Sequence, residues 1–124
     1  MRFEVGVDIV ENSRFTPEVL EDKSFMEKYF TENEREYCFS QANPAHHLAA
    51  RFAGKEAVVK ALYGFGVRCR LWEVEIVHDE MSVPRVVLRN DVGDGFDVKV
   101  SLSHEGGVAV GFAVIVLKDG GPSF

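Results

Sequence analysis

Three charged residues lie in segments whose neighbouring residues are mostly small or apolar. Asp8 lies in mid-segment among alternating apolar residues, and Glu56 and Lys60 lie in a stretch of small and apolar residues, LAARFAGKEAVVKAL, from Leu48 to Leu62. A charge in an apolar setting is costly unless it is paired or binds a metal ion. These three side chains are therefore candidates for a functional site.

Two interpretations of these charges are open. Glu56 and Lys60 have the i, i+4 order of an intrahelical ion pair, worth about 0.2–0.5 kcal/mol, and Asp8 would then be a solvated residue on an edge strand. If Asp8 and Glu56 converge instead, they suit Mg²⁺, because phosphate oxygens and water can complete its octahedron. That arrangement would bind a diphosphate. The pattern alone does not choose between the two.

A third candidate patch is the segment SLSHEGG, from Ser101 to Gly107. We expect a strand that runs into a glycine-containing turn, which would present Ser103 and His104 to a phosphate. A plain hairpin is the alternative. Three further histidines have no acidic or cysteine partner at ligand spacing and are predicted to be surface residues: His46, His47 and His78. The sequence has no nucleophile elbow, Walker loop or dinucleotide-binding glycine motif.

The elements that must position these residues can be predicted from periodicity and end signals. Alternation from Phe3 to Val10 predicts a strand with Asp8 on the face opposite its apolar stripe. Helix-start signals, including the capping-box spacing of Thr31 and Glu34, predict two short helices between Thr16 and about Phe39. Asn43 before Pro44, with Gly64 and Gly66 after the apolar run, predicts a long helix from Pro44 to Tyr63.

Four strand-like segments follow the long helix. They are Leu71 to Val77, Arg85 to Arg89, Asp97 to Ser103, and Val108 to Leu117. The last is almost wholly apolar, which predicts a central strand buried on both faces. Because helices precede most strands, we expect an α+β fold, with three helical segments packed on a mainly antiparallel sheet. One domain should span residues 1–124, with 119–124 as a disordered tail.

Composition excludes several classes of protein. A formal charge of -6 argues against nucleic-acid binding. No apolar run approaches the roughly 18 residues that cross a membrane, and the N-terminus lacks an export signal, so we expect a soluble cytoplasmic protein without a membrane partner. The two cysteines, Cys38 and Cys69, have neither CxxC spacing nor the density of a disulfide scaffold and should be buried or idle thiols.

Three segments together resemble one family, the holo-acyl-carrier-protein synthases, which are small phosphopantetheinyl transferases. These segments are GVDIVE with Arg14 near the start, RFAGKEAVVKAL in the middle, and VSLSH near the end. FTENEREYC also resembles the family's second helical segment, so the likeness covers most of the chain. Any one motif is weak, but their order, spacing and chain length agree.

The resemblance implies a reaction and its machinery. The chain would transfer 4'-phosphopantetheine from coenzyme A to a serine of an apo-acyl-carrier protein and release adenosine 3',5'-bisphosphate. Asp8 and Glu56 match the family's Mg²⁺ ligands, and Lys60 matches a lysine near the coenzyme A phosphates. Glu56 or a metal-bound water would accept the serine proton, and this choice stays open. No enzyme nucleophile is required.

The resemblance also implies binding residues and an assembly. Positions matched to coenzyme A contacts are Arg51, Lys60, Gly64, Gly66, Ser103 and His104. Of these, Arg51 and His104 match the nucleotide end, and the two glycines border the pantetheine channel. Positions assigned to the carrier protein are Arg14, Phe25 and Lys28. The implied assembly is a homotrimer with active sites shared between neighbouring subunits.

Two departures and two rival functions accompany the resemblance. Ser82 stands where the family more often has glycine before a proline, and GFGVRCRL carries bulkier residues than is usual after the central helix. The chain has 20 acidic and 14 basic residues, so docking of an acidic carrier would need a local basic patch. The rivals are a non-catalytic trimeric nucleotide-binding or scaffolding domain and a metal-dependent phosphohydrolase. The first would be free to lose Asp8, Glu56 and Lys60.

Overall fold

The chain begins with a strand, continues through four helices and ends in four strands, over the residues 1–118 that the computed structural model describes. The predicted tail, 119–124, lies outside the described residues. The helices are α1 (Pro17–Glu21), α2 (Lys23–Tyr29), α3 (Glu32–Phe39) and α4 (Pro44–Gly64). The strands are β1 (Phe3–Glu11), β2 (Val74–His78), β3 (Pro84–Leu88), β4 (Phe96–Glu105) and β5 (Val108–Leu117). Short 3₁₀ turns occupy Asn12–Arg14 and Leu71–Glu73.

The helix-start signals of the sequence act as predicted, but one was missed. Thr31 and Glu34 form the complete capping box of α3. Between Thr16 and Phe39, however, the structure has three short helices rather than two. The side chain of Asp22 accepts a hydrogen bond from the Phe25 N–H at 3.0 Å, and this N-cap starts α2 directly after α1 ends.

The strands form two antiparallel sheets, which confirms the α+β fold. One sheet has the order β1-β5-β4, and β2 pairs with β3 in the other. The prediction that β5 is central is confirmed, but the prediction that it is buried on both faces is wrong for the single chain. Its residues alternate: Ala109, Ala113 and Ile115 are fully buried against α4, whereas Phe112 on the other face is 38% exposed.

α4 packs directly on the sheet because small residues meet at the contact. A Cβ atom on Gly6 of β1 would lie 2.0 Å from the Ala57 carbonyl oxygen, and one on Gly111 of β5 would lie 2.4 Å from the Gly54 nitrogen. Ala53 and Ala57 are fully buried at this contact. The helix backbone therefore touches the strand backbones, and larger residues would push the two layers apart.

In β1 the apolar face is exposed, and the face that carries Asp8 packs against the protein, which is the reverse of what polarity alone predicts. The apolar residues Phe3, Val5, Val7 and Ile9 are between 54% and 66% exposed. The other face, which carries Gly6, Asp8 and Val10, lies against α4. Asp8 is thus directed toward the central helix. In residues 1–118, no helix has both the length and the apolar character needed to span a membrane.

Candidate active site

β1 and α4 bring Asp8 and Lys60 together. The Lys60 ammonium donates hydrogen bonds to Asp8 Oδ1 at 3.2 Å and to the Val7 carbonyl oxygen at 3.0 Å. Asp8 lies two residues beyond Gly6 on the same strand face, so the close contact at Gly6 holds its carboxylate near the helix. The sequence pattern left open whether Asp8 approaches Glu56 on α4, and the contact with Lys60 places Asp8 against this helix.

Glu56 lies one helical turn before Lys60 and belongs to the same group of charges. Burial raises the pKa of its carboxyl, and the negative charge of Asp8 raises it further, while Lys60 and Arg14 lower it. Among the described residues Glu56 makes no salt bridge, because Lys60 pairs with Asp8. The intrahelical Glu56–Lys60 pair, one of the two interpretations of the sequence, is therefore not formed.

Asp8 and Glu56 suit a hard cation that keeps several other ligands. Within residues 1–118, no cluster of three or more His, Cys, Asp or Glu side chains could by itself hold a metal ion. A pair of carboxylates matches Mg²⁺, which typically takes one or two from the protein and the remaining oxygens from phosphate and water. The residues present therefore fit Mg²⁺ beside a phosphorylated substrate.

Arg14 borders this charged group. It ends the 3₁₀ turn after β1, before α1 begins, and its guanidinium lies over the Phe52 ring at 5.1 Å. Phe52 stands one turn before Glu56 on α4, and the Arg14 charge lowers the pKa of Glu56. Arg14 thus lies beside the carboxylates rather than within the first helix.

An apolar cavity of about 480 Å³ opens on the other side of Lys60. Its lining residues are Val59, Lys60, Tyr63, Val67, Arg68 and Cys69. α4 ends at Gly64, and Gly66 then takes a left-handed conformation, with φ of +80°. A Cβ on Gly64 would lie 2.5 Å from the Glu4 carboxylate. Both glycines therefore shape the turn that leads into the cavity without lining it.

Arg51 belongs to a separate group of rings and imidazoles. It is only 2% exposed, contacts His78 Nδ1 at 2.7 Å and lies over the Tyr37 ring at 4.2 Å. Tyr37 also stacks on His78 at 5.3 Å and meets His47 edge-on at 5.7 Å. His46 is exposed as predicted, but His47 and His78 are half-buried partners of this cluster, so treating them as surface residues was wrong.

The error arose because the partners of Arg51 come from segments that are far apart in the sequence. His47 precedes Arg51 by one helical turn, which the sequence could have shown, whereas Tyr37 and His78 come from α3 and β2. Burial and the Arg51 charge lower the pKa values of His47 and His78. Arg51 and His78 also line a cavity of about 410 Å³ between α3 and β2, which reaches Ser82.

Ser103 and His104 do not form a joint phosphate-binding turn. Both lie within β4, and the turn begins only at Gly106. Ser103 pairs with Val110 on the exposed sheet face, whereas His104 pairs with Ala109 on the face toward α4. The His104 ring lies 6.3 Å from the His46 ring. Successive strand residues point to opposite faces, which is why the two side chains separate.

The two groups of candidate residues lie on different sides of α4. From Arg51 to Lys60 the helix advances about 13 Å and makes about two and a half turns. The two side chains therefore point in roughly opposite directions from the helix axis. Arg51 and His104 are therefore not brought to the group formed by Asp8, Glu56 and Lys60 within one chain. One ligand therefore cannot contact both groups of residues on the same side of α4.

Comparison with known proteins identifies the family. Residues 4–113 match the family ACPS, described as the 4'-phosphopantetheinyl transferase superfamily. The chain belongs to this superfamily. The holo-[acyl-carrier-protein] synthase of Geotalea daltonii is 40% identical, over 93% of this chain and 98% of the relative.

Solved structures agree with the sequence relatives. The acyl carrier protein synthase of Mycobacterium tuberculosis has a TM-score of 0.71 at 33% identity, covering 93% of this chain and 97% of that one. A holo-(acyl-carrier-protein) synthase from Bacillus anthracis in complex with CoA (3',5'-ADP) has a TM-score of 0.73 at 29% identity, covering 90% and 94%. The resemblance inferred from the three motifs is therefore confirmed.

The three positions predicted to contact the carrier protein lie on and before α2. Phe25 packs edge-on against Phe15 at 6.5 Å and Tyr29 at 4.8 Å. The Lys28 ammonium lies 5.4 Å from the Tyr29 ring centroid. Arg14 is linked to them through Phe52, whose ring lies 5.8 Å from that of Tyr29. The three positions thus share one side of the transferase.

A buried ion pair beneath the site escaped the sequence analysis. Lys55 and Glu34 are hydrogen-bonded and both side chains are 0% exposed. Glu34 also accepts hydrogen bonds from the backbone N–H groups of Thr31 and Ile76, each at 2.9 Å. The pair ties α3, α4 and β2 together, one residue before Glu56. The capping box revealed Glu34, but no local signal indicates that Lys55 is its partner.

Proposed function

We propose that this chain is a holo-acyl-carrier-protein synthase that moves 4'-phosphopantetheine from coenzyme A to a serine of an apo-acyl-carrier protein. The observation that carries this function is the convergence of Asp8, Glu56 and Lys60 beside an apolar cavity in a member of this superfamily. Two carboxylates that would hold Mg²⁺, together with one ammonium, suit a diphosphate, and the cavity suits an uncharged arm. The second product is adenosine 3',5'-bisphosphate.

The chemical step is substitution at the β-phosphorus by the serine hydroxyl. Asp8 and Glu56 would hold Mg²⁺, which when bound supplies charge neutralisation to the diphosphate. Lys60 stabilises negative charge on the leaving oxygen. Glu56, or a water next to it, accepts the serine proton. No side chain of the enzyme needs to form a covalent bond.

Coenzyme A would extend in two directions from Lys60. The pantetheine arm would enter the cavity next to Val59 and Tyr63, after the turn that Gly64 and Gly66 shape. The nucleotide end would meet Arg51 and His104, with Ser103 near the sheet edge. In one chain these residues and Lys60 lie on different sides of α4, so we propose that coenzyme A binds between two subunits.

A homotrimer is the assembly we propose. The outer face of the three-stranded sheet carries four exposed apolar residues of β1, together with Phe112 and its neighbours on β5. A contiguous apolar sheet face of this kind marks a protein–protein interface. Packing three such faces together would bury the apolar stripe of β1. It would also bring Ser103 of one subunit toward another subunit.

A cytoplasmic location is part of the same proposal. Cys38 and Cys69 are both free, and free thiols are typical of a reducing compartment. Burial raises the pKa of the Cys38 thiol to about 12 and that of Cys69 to about 11. Both thiols therefore stay protonated, which agrees with the prediction of buried or idle cysteines.

Mass spectrometry of the carrier protein tests the proposed reaction. Apo-acyl-carrier protein is incubated with the enzyme, coenzyme A and Mg²⁺, with a chelator in the control. We expect a metal-dependent gain of one phosphopantetheine, about 340 Da. Coenzyme A binding without any gain would favour a non-catalytic domain. Metal-dependent cleavage of coenzyme A without a carrier would favour the phosphohydrolase.

A further inference from the structure

A small cavity lies between α2 and the segment that leads into β2. Its volume is about 240 Å³, and its lining residues are Lys28, Tyr29, Arg70, Leu71 and Trp72. The walls are mostly apolar, and two cationic side chains stand at its opening. The cavity is separate from the larger one beside Lys60 and has no part in the chemistry proposed above.

The two cations at the opening are available to a partner. Among the described residues neither Lys28 nor Arg70 forms a salt bridge. Two neighbouring acids are already engaged: Glu27 pairs with Lys23 at 3.7 Å, and Glu73 accepts from the Arg70 backbone N–H and from Asn90. In a chain with a formal charge of -6, this opening is a local exception that suits an acidic partner.

Trp72 gives the same surface a large apolar anchor. It is the single tryptophan of the chain and is 40% exposed. It lines this cavity and also the neighbouring one, whose charged lining residues are Glu27, Glu32, Arg35 and Arg89. Tryptophan, tyrosine and arginine are enriched among the residues that dominate binding energy at interfaces.

Aromatic contacts connect this cavity with the catalytic group. The Tyr29 ring at the cavity lies 5.8 Å from the Phe52 ring, and Arg14 covers Phe52 at 5.1 Å. Glu56 follows Phe52 after one turn of α4. A protein substrate whose serine reaches Asp8 and Glu56 must also cover the residues around them, and Tyr29, which lines the same cavity as Trp72, packs against Phe52 at that site.

We infer that Arg70 and Trp72 extend the docking surface for the acyl-carrier protein beyond Arg14 and Lys28. The occupant is an acidic segment of the carrier. One of its apolar side chains enters the cavity between Tyr29 and Trp72, and its carboxylates pair with Lys28 and Arg70. This inference rests on the proposed function, because it places the macromolecular substrate of that same site.

Charge reversal at Arg70 tests the inference. In Arg70→Glu, the KM for the apo-carrier should rise about tenfold while kcat and the KM for coenzyme A stay within about twofold, since a lost charge pair weakens docking only. The KM of the wild type should rise with salt more steeply than that of the variant. Lys118→Glu, which makes the same charge change beside a separate cavity between β3 and β4, should leave all constants unchanged.

The single tryptophan supplies a direct readout that does not require turnover. On titration with a tryptophan-free apo-carrier, Trp72 emission should shift to shorter wavelength and saturate, because docking removes its indole from water. Arg70→Glu should move the midpoint about tenfold, and Lys118→Glu should not. Trp72→Phe should show no signal and should raise the KM for the apo-carrier, because the indole that enters the contact is lost.

The outcomes separate this inference from the proposed function. If the wild type transfers phosphopantetheine but Arg70→Glu keeps the wild-type carrier KM, or Trp72 emission stays constant at saturating carrier, the carrier docks elsewhere and the inference is wrong. If the wild type transfers nothing to any apo-carrier, the proposed function itself fails.

Discussion

The ammonium of Lys60 on α4 lies 3.2 Å from Oδ1 of Asp8 on β1. The Asp8 side chain is 20% exposed, so its carboxylate lies at the rim of the site. The Lys60 ammonium neutralises the charge of this carboxylate. Glu56 adds a second negative charge, and the charge of Asp8 contributes to the raised pKa of Glu56. A divalent cation at Asp8 and Glu56 would remove that repulsion, whereas Lys60 alone compensates only one charge.

The first prediction concerns these two carboxylates. Asp8→Asn and Glu56→Gln keep the size of each side chain and remove its charge. We expect each variant to lower kcat at least about 100-fold and to weaken Mg²⁺ binding, because fewer anionic oxygens face the ion. Calorimetric titration with Mg²⁺ and the mass-spectrometric assay measure the two effects. Glu36→Gln, at an exposed position of α3, is the control; full activity in Asp8→Asn would exclude the metal site.

The second prediction concerns the trimer. Phe112→Asp places a charge in the centre of the exposed apolar sheet face, so we expect monomers by light scattering and loss of transfer activity. Val87→Asp changes a similarly exposed apolar residue on the other sheet, which is 45% exposed, and should stay trimeric. A Phe112→Asp protein that remains trimeric would place the interface elsewhere.

Shared active sites have a separate test by mixing. Asp8→Asn and Arg51→Ala damage groups that lie on different sides of α4. If each site takes one group from each of two subunits, mixed trimers of these two inactive proteins contain some intact sites, and part of the activity returns. No recovery on mixing, with subunit exchange verified by mass spectrometry, would mean that each chain builds its own site.

The third prediction concerns pH and the cluster around Arg51. The pKa values of His47 and His78 lie below the ordinary 6.5 because burial and the Arg51 charge disfavour the imidazolium. The unfolded chain therefore binds protons before the folded one does, and stability should fall as pH decreases from about 7.5 to 5.5. Urea unfolding measures the change. The double variant His47→Gln, His78→Gln should depend less on pH; an unchanged slope would contradict the assignment.

The sequence predicts local features of this fold well because they depend on neighbouring residues. The capping box at Thr31 and Glu34 and the long helix after Pro44 are confirmed. Local signals do not predict which face of β1 packs against α4. The apolar residues from Phe3 to Ile9 indicate a core face, yet in the structure this face is exposed. Gly6 decides the matter, because only a residue without Cβ lets α4 approach, and the face of Gly6 is also the face of Asp8.

In the candidate site, too, the local features were predictable from the sequence and the long-range contacts were not. The spacing of Glu56 and Lys60 is local, so the sequence could place both on one ridge of a helix. Their convergence with Asp8 depends on strand register and helix packing, for which no local signal exists. The resemblance to a family supplied that information. It could not supply the cluster of His47 and His78, since those residues were not part of the matched motifs.

The fourth prediction concerns the spacing between β1 and α4. In Gly6→Ala the added Cβ would lie 2.0 Å from the Ala57 carbonyl oxygen, so the layers must separate. We expect a loss of about 1–3 kcal/mol in the free energy of unfolding, as for other overpacked cores. Mg²⁺ affinity should fall as well, because Asp8 moves away from Glu56. Wild-type stability in Gly6→Ala would show that this contact tolerates a methyl group.

The fifth prediction concerns the buried pair of Lys55 and Glu34. Removing one partner leaves the other charge buried and unpaired, so Lys55→Met and Glu34→Gln should each cost about 3–5 kcal/mol. The double variant should be less destabilised than the sum of the two, with a coupling energy of at least about 1 kcal/mol. Urea unfolding of the four proteins measures this cycle. Additive effects would mean that the two side chains are stabilised independently.

The same cycle separates stability from catalysis. Lys55 stands next to Glu56 on α4, and Glu34 holds the Ile76 N–H of β2, so the pair fixes the helix against both α3 and the second sheet. If the pair only stabilises the fold, the double variant should recover kcat together with stability. If it also orients α4, the double variant should be stable yet slow, with a normal KM for coenzyme A, because Glu56 would no longer be held toward Asp8.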